Sequence, residues 1–159
     1  MSKLSTFSYI SIVLILLIMP LTRAIAQKKD LNSLHLALGL NQTTAEVIGS
    51  TGGGYSLASI VNQDFYGNHC MGYGDPKPDH IMLLEHDFSR LKLKVKSGGK
   101  DTTLVVKRTD NQDIRCGFGQ QHNRDAVISG RNWKAGQYEI WVGSMEPNQN
   151  SSYSLSVQP

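Results

Sequence analysis

Leu91-Lys92-Leu93-Lys94-Val95-Lys96 alternates apolar and cationic side chains without a break. A repeat of two places one kind of residue on each face of an extended chain, whereas a helix would scatter the apolar residues around its axis. The same period recurs downstream of residue 27, and sustained helical periodicity does not. Residues 34–40 set every second Leu on one face, and 56–61, 79–85, 114–116, 126–128, 138–142 and 152–157 read as further short strands. Residues 102–107 are β-branched and apolar enough to be buried on both sides. Thr51-Gly52-Gly53-Gly54, Ser97-Gly98-Gly99-Lys100 and Asp110-Asn111-Gln112-Asp113 supply turn chemistry between runs. The expectation is an all-β chain forming a single antiparallel β-sandwich of about eight strands, jelly-roll-like or immunoglobulin-like.

The N-terminus is different. Residues 9–19 are apolar except for Ser11, Lys3 precedes them, and Pro20 and then Ala24-Ile25-Ala26 follow. This is the layout of a secretory signal, so residues 1–26 are read as a signal peptide. The competing reading, an uncleaved anchor, needs about 20 apolar residues to span a bilayer. Cleavage removes Lys3 and Arg23, so a whole-chain charge of +3 falls to +1, with 14 basic against 13 acidic side chains. The remaining 133 residues, about 35% apolar, suffice for one core. Near-neutrality argues against a nucleic-acid partner. A secreted or periplasmic location with no stable membrane span after cleavage is expected. Residues 27–48 are taken as an N-terminal strand region and 49–159 as the sandwich proper, together one domain.

Export decides how Cys70 and Cys116 are read. Outside the reducing cytosol, a lone pair of thiols oxidises to a bridge. The bridge would close a loop of 47 residues, worth about 4 kcal/mol in the chain-entropy model. The alternative, a catalytic cysteine helped by His69 or His122, lacks a recognisable nucleophile motif.

Several fragments occur in a familiar order: Ser50-Thr51-Gly52-Gly53, Cys70-Met71-Gly72-Tyr73, Pro78-Asp79-His80-Ile81, the 91–99 strand and turn, Asp101-Thr102-Thr103-Leu104-Val105-Val106, Arg115-Cys116, and Ala135-Gly136-Gln137-Tyr138-Glu139-Ile140-Trp141-Val142-Gly143. Over residues 49–157 the series resembles the bacterial pre-peptidase C-terminal domain family in a stand-alone exported form. The resemblance implies a jelly-roll sandwich without catalytic residues of its own. Such domains accompany secreted hydrolases and are similar to collagen- and carbohydrate-binding sandwiches. Some relatives bind calcium, commonly with an acidic pair after the strand's Cys. Here Cys116-Gly117-Phe118-Gly119 lacks that pair.

The remaining carboxylates that could supply calcium oxygens are Asp101, Asp113 and Asp125, although Asp is also a good turn residue. No other cofactor is expected. His80 and His86, six apart, would stand about 20 Å from each other on one strand, too far to share a metal. There is no Gly-x-Ser-x-Gly elbow, and Glu139, the one glycosidase-like carboxylate singled out, alternates with core residues and points outward. Trp141 and Phe88 read as core. Among the loop aromatics, Tyr66, Tyr73 and Trp133 are the ligand-binding candidates. Lys92, Lys94 and Lys96 read as a solvated face. The function expected is a non-catalytic secreted binding or accessory module for an extracellular or envelope protein or carbohydrate. The alternatives are a small secreted hydrolase and a structural or inhibitory partner of a secreted peptidase. N-terminal sequencing of the exported protein is expected to begin at Gln27; recovery of an intact Met1 from the secreted or periplasmic fraction would contradict the cleavage.

Overall fold

The computed structural model describes the backbone of residues 33–34 and the full side chains of 44–119 and 124–159. All of these belong to one compact unit, Leu31–Pro159. The described strands are β1 (Ser33–Leu34), β2 (Ala45–Ser50), β3 (Tyr55–Ser56), β4 (Tyr73–Gly74), β5 (His80–Leu84), β6 (Phe88–Lys96), β7 (Thr102–Arg108), β8 (Ile114–Phe118), β9 (Val127–Trp133), β10 (Gly136–Ser144) and β11 (Ser152–Gln158). Eight of them have five or more residues, and β1, β3 and β4 have two each.

They form two sheets. One runs β5-β10-β7-β8, with β1 on the outer side of β5 and the β4-β3 pair against the end of β10. The other runs β2-β11-β6-β9. Pairing is antiparallel except where Ser33 and Leu34 lie parallel to Ile81 and Met82. The chain is thus an all-β sandwich. Its core is the facing set Met82, Leu84, Leu91, Leu93, Val95, Leu104, Val106, Ile140, Val142, Leu155 and Val157, all essentially inaccessible. These are the alternate residues that a period of two assigns to one face of each strand.

A second cluster covers the opposite side of the β10-β7 sheet. Val105 and Trp141 point away from the main core, yet both are buried under Leu57, Val61 and Cys70. This accounts for the double-sided burial of 102–107. The covering segment contains the main departure from the pattern expected at 56–61. Only Tyr55 and Ser56 are extended there, and Leu57–Ser59 is a turn of 3-10 helix with Ile60 and Val61 both donating to the Leu57 carbonyl. Leu57, Ile60 and Val61 fall at helical spacing, so one tight turn brings all three onto the sheet. A second departure is β2, whose Ala45-Glu46-Val47-Ile48-Gly49-Ser50 stays extended through Gly49 and Ser50, residue types that favour turns, and pairs with β11 over six positions. Of the run at 34–40, only Leu34 lies within the described residues.

The Cys70–Cys116 bridge forms, with Cα atoms 5.3 Å apart. It ties the covering segment to β8. We expect Cys70→Ala/Cys116→Ala to lower unfolding free energy by about 4 kcal/mol, measured by urea denaturation with the oxidised protein as reference. A loss below about 1 kcal/mol would show that packing alone holds the segment in place.

Candidate functional site

Two concave regions carry most of the exposed chemistry. The first is a groove of about 920 Å³ between β2, β11, the start of β5 and the turn after β6. Tyr153 crosses from β11 to β5 there, and its hydroxyl lies 2.8 Å from His80 Nε2. Gly49 makes this crossing available, because a Cβ at that position would overlap the Tyr153 ring. Burial lowers the His80 pKa, and burial, then the nearby Asp79 charge, raises that of Tyr153. A neutral imidazole hydrogen-bonded to a protonated phenol is therefore the stable arrangement. Next to it, the Asp79 carboxylate accepts the Val142 N–H at 2.8 Å. Its pKa is raised to about 6, chiefly by burial, with Asp75 adding repulsion and the Val142 bond opposing.

This groove does not assemble a nucleophile. His80 meets a tyrosine rather than Ser or Cys, and both cysteines are in the disulfide. Glu139 is occupied by Lys107 at 3.2 Å across the β10-β7 register. His69 is exposed on the 62–70 loop, His86 stacks on Phe88 with ring centres 4.4 Å apart, and His122 lies outside the described residues.

The calcium candidates do not converge. Asp101 and Asp125 sit at one end of β7. The Asp101 carboxylate is 3.7 Å from Arg124, and Asp125 accepts the Ser97 N–H at 2.9 Å. Asp113 sits at the other end, where it accepts from Arg115 Nε at 2.8 Å and Nη2 at 2.9 Å. No group of three or more potential metal-ligating side chains occurs among the described residues. Three carboxylates divided between opposite ends of a strand about 20 Å long do not fit one ion that takes six to eight oxygens.

The second region lies at the Asp113 end. Asp64, itself 9% exposed, accepts the backbone N–H groups of Tyr66 and Asn68, each at 2.8 Å, and the Asn68 side-chain amide at 3.0 Å. Gly67 completes the turn at φ 83°, a conformation glycine adopts at little cost. Phe65 N–H donates to the Ile114 carbonyl at 3.0 Å. The loop is fixed at its base, and its tip is apolar. Phe65 is 76% and Tyr66 66% exposed, and their rings stand edge to face 6.2 Å apart. Tyr66 flanks a groove of about 730 Å³ floored by Arg90, Lys92, Ser129, Arg131 and Gln158. Phe65 and Tyr66 together flank a smaller one with Arg108, Gln112 and Lys134.

The other two aromatic candidates lie elsewhere. Tyr73, half-buried in β4, pairs with Ser144 at the far end of β10. Trp133, expected in a loop, is a fully buried core residue at the end of β9, with the Arg115 guanidinium 3.9 Å from its ring centre. It presents no face to a ligand. The Arg115 guanidinium is also 5% exposed and donates to the Arg131 carbonyl at 3.1 Å. It passes Gly130, where a Cβ would collide with it. Phe65, a loop aromatic in the sequence but not among the three singled out, is exposed beside Tyr66 just before the turn residues Gly67-Asn68.

No family model matches the sequence, and no curated protein sequence does. Among solved structures, the chain is similar to the pre-peptidase C-terminal domain of collagenase from Bacillus anthracis, at 17% identity over 80% of this chain and 93% of that one, with a TM-score of 0.47. It is also similar to Aeromonas hydrophila PliG, a periplasmic inhibitor of g-type lysozyme, at 15% identity over 80% and 95%, with a TM-score of 0.40. Neither likeness transfers a residue role to this chain. Among the described residues, no helix is long and apolar enough to cross a membrane.

The first groove makes stability depend on pH in two opposed ways. Asp79, with its folded pKa raised, contributes stability below pH 4 that is lost as pH rises through about 6. His80, with its folded pKa lowered, contributes stability above pH 6.5 that is lost as pH falls. In urea unfolding between pH 4 and 8, Asp79→Asn is expected to be more stable than the parent at pH 7.5 and to lose stability monotonically on acidification, the His80 effect alone. An unchanged pH profile would show that Asp79 is solvated as in the unfolded chain.

Proposed function

We propose that this chain is a non-catalytic binding module, exported to the periplasm or beyond, which recognises an extracellular or envelope polymer of protein or carbohydrate through the Phe65-Tyr66 loop. The carrying observation is the loop itself. Two large aromatic side chains are held in water by a backbone that Asp64, Asn68 and the Ile114 carbonyl fix in place. Burying them inward would bring hydrophobic stabilisation, so their display is a local sacrifice of stability of the kind that binding sites make. Aromatic faces beside polar and cationic side chains suit sugar rings and extended peptides alike. Because the loop needs no ordering on contact, association forfeits little conformational entropy.

A disulfide at the root of the loop fits an oxidising compartment. In equilibrium binding to peptidoglycan, polysaccharides and collagen-like peptides, we expect at least one ligand. Phe65→Ala/Tyr66→Ala should weaken its binding by about tenfold or more, as loss of buried aromatic contacts does, while leaving the melting temperature unchanged. No binding to any class, or full binding by the double variant, would refute this role for the loop.

A further inference from the structure

The strand register sets out a row of cations on the outer face of the β2-β11-β6-β9 sheet. Arg90, Lys92, Lys94 and Lys96 occupy alternate positions of β6, whose intervening Leu91, Leu93 and Val95 are buried. Alternate residues of a strand are about 6.7 Å apart, so the row is about 20 Å long. On one side Arg131 of β9 lies directly opposite Arg90, and Ser129 opposite Lys92. On the other, Gln158 of β11 lies opposite Lys92, and Ser154 opposite Lys96.

None of these five cations forms an ion pair among the described residues. In contrast, Arg108, Arg115, Arg124 and Lys134 each have a carboxylate. The outer face of this sheet carries one described carboxylate, Glu46, on the outermost strand opposite Ser156. Like charges directly opposed across a strand pair repel, and the fold leaves Arg90 and Arg131 in that position without a counter-charge. Of the seven described Lys and Arg side chains without an ion pair, five thus lie on this one face, the other two being Lys77 and Lys100. Tyr66 borders the same groove.

We infer that this face binds a linear anionic polysaccharide. Its acidic groups would lie along the Arg90–Lys96 row and against Arg131, its hydroxyls would meet Ser129, Ser154 and Gln158, and one sugar ring would lie on Tyr66. The inference rests on the polymer-binding reading above and narrows it. The hydroxyl and amide side chains between the cations are what distinguish a sugar polymer from other polyanions. A protein interface of this size has an apolar centre, whereas here Phe88, at the start of the same alternation, packs against the core, and the apolar side chains left at these strands' outer positions are Val127 and the edge residue Ile48. An anionic membrane is attracted by charge and held by inserted apolar groups.

The test is equilibrium binding of the exported chain to polygalacturonate, with neutral dextran of similar length, duplex DNA and phosphatidylglycerol vesicles in parallel. Binding to polygalacturonate and not to dextran is expected, with affinity falling as salt rises at a log–log slope of roughly −3.5, taking about 0.7 counter-ion released for each of the five neutralised charges. Arg90→Gln/Lys92→Gln/Arg131→Gln should weaken binding by about tenfold or more with an unchanged melting temperature. Should that variant unfold early, Lys94→Gln/Lys96→Gln carries the same expectation from the other half of the row. Salt-independent binding, full affinity in the Gln variants, or equal affinity for DNA or vesicles would overturn the inference. If binding to dextran were lost in Phe65→Ala/Tyr66→Ala while the Gln variants kept it, the anionic-ligand inference would fail and the polymer-binding reading would stand. If nothing in the wider polymer panel bound, both would fail.

Discussion

The Cys70–Cys116 bridge holds in place the one part of the molecule that a two-sheet sandwich does not explain. The stretch between β3 and β4 is short of regular pairing, its described strand pairings being the β3-β4 pairs and an isolated Gln63–His69 bridge. Its attachment is mainly hydrophobic and covalent, with one backbone bond from Phe65 to the Ile114 carbonyl. Leu57, Val61 and Cys70 lie over Val105 and Trp141, and the sulfur link fixes the far end to β8. A chain with a modest apolar supply gains from any constraint that shrinks its unfolded ensemble. Here the constraint also aims a loop, because the five residues from Asp64 to Asn68 are set by hydrogen bonds at their base and by the bridge just beyond.

The neighbouring end of the sandwich is held by a different device. Arg115 is buried against Asp113 and the Trp133 ring. An ion pair in such a place contributes little net stability, since desolvation offsets most of the attraction. Its effect is geometric. The guanidinium needs the open space at Gly130 and donates to the Arg131 carbonyl, which fixes β9 beside β8 and sets Arg131 outward, opposite Arg90. A buried charge thus helps to position an exposed one. The two grooves differ accordingly: in the first, His80 and Tyr153 satisfy each other and Asp79 accepts from Val142, whereas the one below Tyr66 presents Arg90, Lys92 and Arg131 without ion pairs among the described residues.

Much of the sandwich was legible locally. The 91–96 alternation, the doubly apolar 102–107 strand and the 138–142 and 152–157 runs all became strands in the faces expected of them, because side-chain period is a local property of an extended chain. The failures have physical causes too. Residues 56–61 carry apolar side chains that suit a tight helical turn as well as a strand, and a single turn is too short for its period to be read. Gly49 and Ser50 look like turn residues until Tyr153 is seen to need the missing Cβ at 49. Trp133 follows a polar stretch and precedes Lys134, so nothing nearby reveals that Asn132, at φ 57°, turns the strand and sends the indole inward. Asp113 and Asp64 accept from groups two to four residues along the chain, whereas Asp79 was not legible as a partner, since only folding brings the Val142 N–H to it.

The sequence by itself determined the class of structure: periodicity imposed strands, glycine and asparagine imposed turns, and two cysteines supplied the covalent link. It also determined that β6 would present lysines on one side, since that follows from alternation alone. Only the tertiary structure decided what those lysines would stand beside. Which strand lies next to β6, and in what register, depends on contacts between residues far apart in the chain, and a shift by one residue would turn every side chain of β9 to the other face. That register set Arg131 opposite Arg90, and the disulfide-held loop brought Tyr66 to their groove. The charges were written in the sequence, but their convergence on one face came from strand pairing.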